Sequence, residues 1–98
     1  MNKEKIHINY KFSEDEILEE IRNYIRNTYS EHYSGKNLQA ADLIFEGGHG
    51  EGFCIGNIIK YAHRFGKKNG KNEKDLIKII HYAIMAIHNL RQEQKPNF

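Results

Sequence analysis

The stretch Gly47–Lys68, GGHGEGFCIGNIIKYAHRFGKK, decides how this chain reads. It opens with four glycines in six residues, passes into a helical pattern and stops at Gly66, ahead of two lysines. A glycine turn leading into a helix leaves backbone N–H groups free at the helix start, where an anion is favoured. Along the expected helix, 52–65, the residues Asn57, Lys60, Tyr61 and Arg64 recur at i, i+3, i+4 and i+7. That spacing puts a carboxamide, an ammonium, a phenol and a guanidinium on one face. Ile55, Ile58, Ile59, Ala62 and Phe65 cover most of the remainder and are expected to face the core. Gly56 costs about 1 kcal/mol inside a helix and suits a place where a backbone or ligand comes close. Gly66 suits a left-handed helix stop. The pattern predicts a site for a phosphorylated small molecule.

Outward from this stretch, KKNGKN (67–72) is a basic turn, and Asn72 is placed to cap a helix over 73–92 with Asp75 in its first turn. That helix carries Leu76, Ile77, Ile79, Ile80, Ala83, Ile84, Ile87 and Leu90, an apolar surface broad enough for a central helix or for one that also meets another subunit. Upstream, 38–45 reads as a short helix anchored by Leu43 and Ile44, with DLIF (42–45) as a strand in the alternative reading. SEHYSGKN (30–37) is a loop carrying His32 and Tyr33. Residues 13–29 read as a helix with a Ser13/Glu16 capping box and an apolar stripe of Ile17, Leu18, Ile21, Tyr24 and Ile25. KIHINYKF (5–12) alternates as a half-buried strand does. With no second strand in view, it either pairs with the same strand of another subunit or lies on the helices as an extended arm. The expected fold is mostly α: a single three- to four-helix domain, 1–98, with a short N-terminal β-strand or arm.

At 98 residues there is room for one domain and a modest core. A formal net charge of +2 is too small for a general nucleic-acid or membrane-surface binder. The single cysteine, Cys54, excludes an internal disulfide and sits in an apolar run, as a buried, unreactive thiol does. No run approaches the ~20 apolar residues of a membrane span, and the N-terminus has no signal-peptide core. A cytoplasmic homo-oligomer is expected.

The glycines do not form a Walker A loop, because no lysine follows Gly56, and they fail G-x-G-x-x-G because Ile55 stands where the third glycine belongs. A glycine cluster is ordinarily a tight turn, and Lys60 with Arg64 at i, i+4 is ordinarily a solvated face. Against that, Asn57, Tyr61, Lys67 and Lys68 add donors on the same side or at the same helix end, and Arg grips phosphate bidentately where Lys acts as a point charge. Six histidines form no H-E-x-x-H or Cys/His cluster, so no metal site is predicted. His49, beside Glu51 in the glycine turn, is placed for ligand contact or proton transfer, while Glu51 alone would simply suit a helix N-terminus. Helical metal-dependent pyrophosphohydrolases use acidic pairs on two helices. Glu16, Glu19 and Glu20 could supply one pair, but Glu73 and Asp75 have the wrong spacing for the other.

His32-Tyr33, Gln39, Asp42-Leu43-Ile44, Phe53-x-x-Gly56-Asn57-x-x-Lys60-Tyr61-x-x-Arg64-x-Gly66-x-Lys68, Asp75-Leu76-x-Lys78 and Tyr82 together resemble a small bacteriophage domain family of nominally unknown function, described as nucleotide kinase-like. The resemblance spans His32 to Leu90. The chain departs from the family pattern in its longer GGHGEG insertion and its own N-terminal segment. The resemblance implies a phage protein in the cytoplasm of an infected bacterium, and nucleoside monophosphates as substrates of a kinase without a Walker A loop; the residues name no cofactor, ATP and Mg²⁺ being what phosphoryl transfer would draw on. Lys60, Arg64 and Lys68 would then bind phosphates, and Asn57 and Tyr61 would hydrogen-bond or stack. Asp75 and Lys78 would orient them from the facing helix. Gly50, Gly52 and Tyr82 would line the site, and His32, Tyr33, Gln39 and Asp42 would close it. Asp42, His49 or Glu51 would orient or deprotonate the acceptor. Two other readings stand beside this one: a sponge that sequesters nucleotide signals, cyclic ones included, of bacterial antiviral defence, and a protein-interaction module with a basic face.

Overall fold

The computed structural model describes residues 7–32 and 40–96, His32 by its backbone alone. Four helices follow in order: α1 (Glu14–His32), α2 (Ala40–Glu46), α3 (Gly50–Arg64) and α4 (Glu73–Glu93). The all-α expectation is met, and the boundaries of the last two helices fall within two residues of the sequence reading. Among the described residues there is no strand. Residues 7–12 run into a turn at 11–12. Ile8, Tyr10 and Phe12 are exposed, so their alternation does not mark a buried face; residues 5 and 6 lie outside the described residues.

Local chemistry accounts for the ends. The Asn72 side chain accepts the Lys74 N–H at 2.9 Å, satisfying a first-turn donor of α4. Gly66, at φ +85, takes the left-handed conformation just past α3 and donates its N–H to Gly70 O at 3.0 Å. At α1 the predicted box is replaced: Glu14, not Glu16, reaches back to accept the Phe12 N–H at 3.0 Å, and Ser13 sits at φ +58.

α3 and α4 form the principal packed pair, α2 lies on α3, and α1 touches α4. The face of α3 that turns inward keeps only part of the expected apolar set, with Ile58 and Phe65 half-buried and Ala62 exposed. Gly50, Cys54 and Tyr61 are buried and Asn57 and Arg64 half-buried, whereas Ile55 and Ile59 are exposed at 45% and 62%. Of the stripe expected to face a ligand, Tyr61 and Arg64 therefore turn towards α4, while Lys60 stays exposed. Gly50 packs closely: a Cβ there would stand 2.5 Å from Asn89 Oδ1 and 3.0 Å from Phe45. Gly56 has open space instead of the close approach expected of it. Other expected anchors are loose too, with Ile17, Leu18 and Leu43 exposed; Phe45, edge-on to Phe53 at 6.2 Å, fastens α2 instead. The core is thin: among the described residues the buried hydrophobics are Ile21, Cys54 and Tyr61.

Candidate functional site: an aromatic and cationic cleft between α3 and α4

Four rings climb from α2 across α3 to α4. Phe45 meets Phe53; Phe53 meets Tyr82 edge-on at 5.6 Å; Tyr82 stacks on Tyr61 at 6.1 Å with planes 16° apart. Three cations gather on the Tyr61 ring: Lys60 Nζ at 4.7 Å from the centroid, Lys78 Nζ at 5.0 Å and Arg64 Cζ at 5.8 Å. The negative face of a phenol ring attracts each of them.

The cations differ in their partners. Arg64 Nε lies 3.6 Å from Oδ1 of buried Asp75, close enough for an ion pair but beyond a hydrogen bond, and Arg64 Nε and Asp75 Oδ2 are buried without a hydrogen-bond partner. Lys60 and Lys78 have no carboxylate partner among the described residues. The cluster thus carries three positive charges against one negative one.

One cavity adjoins it, and a second adjoins the first. A smaller one, about 160 Å³, is lined by Tyr61, Lys78, Tyr82 and Phe53, with Tyr24 and Thr28 from α1. A larger one, about 560 Å³, lies between α1, α2 and α4, with Asp42, Glu46, His81 and His88 around Ile25, Phe45 and Met85. Ala41, His81 and Met85 line both. His81 meets Tyr24 edge-on at 5.9 Å, and burial pulls its pKa below the usual imidazole value. Burial pushes the Cys54 thiol up, as an unreactive core cysteine requires.

The sequence-predicted residues divide. Tyr61, Arg64, Asp75, Lys60, Lys78 and Tyr82 come together. Asn57 turns back on its own helix, donating Nδ2 to Phe53 O at 2.8 Å. Asp42 borders the larger cavity. Gly50, Gly52, His49 and Glu51 stand at the other end of α3, since the 15 residues from Gly50 to Arg64 rise about 21 Å end to end. The glycine turn and the cation cluster therefore cannot hold one phosphate between them. Lys68 is exposed in the turn after α3, where Lys67 donates to His63 O at 2.9 Å. Tyr33 and Gln39 lie outside the described residues, as does the side chain of His32. Sequence reasoning missed Tyr24, Thr28, His81 and Met85. Of these His81 carried a readable signal, a histidine within the apolar stretch of α4. Among the described residues no three His, Cys, Asp or Glu are grouped as a metal ion would require, and no helix is long and apolar enough to cross a membrane.

Four helices around an aromatic cleft edged with lysines define a small all-α domain with a candidate anion site. The chain belongs to a family of proteins of unknown function, DUF3310, whose profile matches residues 27–84. The match takes in the whole cation cluster and all four contacting rings. No curated protein and no solved structure matches the chain.

Proposed function

We propose that this protein binds a phosphorylated nucleotide at the Tyr61 cleft. The observation that carries the reading is the convergence of Lys60 and Lys78, from two helices, on one buried ring beside an aromatic-lined cavity, neither lysine having a carboxylate partner among the described residues. Like charges brought together repel, and an anion between them relieves the cost. A base would stack on the aromatic wall, and the two lysines would hold the phosphate.

Of the two uses of such a site, holding the nucleotide is favoured over phosphoryl transfer. Transfer needs a group beside the phosphate to orient or deprotonate the acceptor. The carboxylate nearest the cations, Asp75, is engaged with Arg64, while His49 and Glu51 stand near the start of α3. A kinase using ATP and Mg²⁺ remains the second reading, with Asp42 at the larger cavity as its acceptor-side residue. In either use the protein would act in the cytoplasm of an infected bacterium, where sequestering nucleotide signals would serve anti-defence.

Equilibrium binding against nucleoside mono- and diphosphates and cyclic dinucleotides, with and without ATP and Mg²⁺, tests this. Nucleotide recovered unchanged after denaturation supports holding; a new diphosphate supports transfer. Lys60→Ala and Lys78→Ala are each expected to weaken binding about tenfold, the scale of one lost charge-assisted contact. Undiminished affinity in the double variant would remove the site. No binding by the wild type would leave an interaction module.

A further inference from the structure

α4 presents two faces. One, with Asp75 and Tyr82, packs on α3. On the other, Leu76, Ile80, Ala83, Ile87 and Leu90 follow one another at steps of four, three, four and three residues. That is the 3.5-residue period of helices that pack along their whole length. Leu76, Ile80, Ile87 and Leu90 are exposed at 43%, 36%, 50% and 51%. With so few hydrophobic side chains buried elsewhere, leaving this seam in water is unfavourable.

We propose that this seam pairs with α4 of a second copy of the chain, antiparallel, about a twofold axis near Ala83. The seam is nearly symmetric about that point: a leucine seven residues to either side, an isoleucine three before and four after. A twofold interface requires such self-complementarity, and the small central residue lets the backbones approach. Charge chooses the direction. Glu73 and Arg91 stand beyond the two ends of the seam. Antiparallel pairing brings Glu73 of each copy towards Arg91 of the other, whereas parallel pairing sets like against like. By helical spacing the seam lies roughly 110° around α4 from Asp75 and Tyr82, so pairing leaves the Tyr61 cleft open and does not depend on nucleotide binding.

Sedimentation equilibrium of the full chain at about 50 μM is expected to give a dimer, and Ile80→Lys/Ile87→Lys a helical monomer with its dissociation constant raised at least about hundredfold, two buried aliphatic side chains being lost per copy. Circular dichroism verifies that the variant keeps its helices. Leu76→Cys copies are expected to form no disulfide with one another, their α carbons standing about 20 Å apart, yet to cross-link to Leu90→Cys copies under mild oxidation. A monomeric wild type, or a dimer that survives the double lysine substitution, overturns the proposal. A disulfide between two Leu76→Cys copies overturns the antiparallel arrangement.

Discussion

Arg64 and Asp75 show most directly how one residue's role depends on its neighbour. On sequence they belong to a ligand stripe and to a helix start. In the fold they meet across α3 and α4, with the carboxylate 4% exposed and the guanidinium 30%. Arg64→Ala leaves that carboxylate buried and uncompensated, so a loss of about 1–3 kcal/mol is expected, read as a lower midpoint in urea at unchanged slope. Asp75→Asn, which keeps the shape and removes both the charge and the ion pair, should cost less. A change in nucleotide affinity in Arg64→Ala counts only after this destabilisation is allowed for. His81 supplies a pH dependence. Its folded pKa lies below the unfolded value near 6.5, so the unfolded chain takes up the proton first. The contribution is fully present above pH 6.5 and is lost as pH falls from there to the folded pKa. His81→Gln is expected to flatten that part of the thermal-stability profile; an unchanged slope would mean that the imidazole is solvated.

The helices take their ends from local chemistry and their faces from one another. Asn72 performs the capping role its position predicts, and Asn72→Ala should cost about 1 kcal/mol, measured by chemical denaturation. The two helical glycines should respond with opposite signs. Gly56 is a mid-helix glycine in open space, so Gly56→Ala is expected to stabilise by up to about 1 kcal/mol. Gly50→Ala would press a methyl group against Asn89 and Phe45 and is expected to destabilise and loosen the α3–α4 contact, visible as faster amide exchange at the start of α3. No periodicity separates these glycines, because what distinguishes them is a side chain 39 residues away in sequence.

For the whole molecule, a thin core and an exposed seam make stability a matter of association. If folding draws on a second copy, the thermal midpoint should rise with protein concentration, and Ile80→Lys/Ile87→Lys should remove the rise. Helix content, the α3 stop at Gly66 and the cap at Asn72 were determined by sequence alone, because each rests on interactions within a turn or two of chain. Which face of α3 turns inward was decided only by the tertiary structure. By hydropathy Ile55 and Ile59 should have won over Asn57, Tyr61 and Arg64. α4, however, offers Tyr82 to stack on Tyr61 and Asp75 to pair with Arg64, and a buried polar side chain is tolerated only where its partner arrives from elsewhere in the chain. The same long-range pairing separates the glycine turn from the cations and sets Lys60 and Lys78 over one ring.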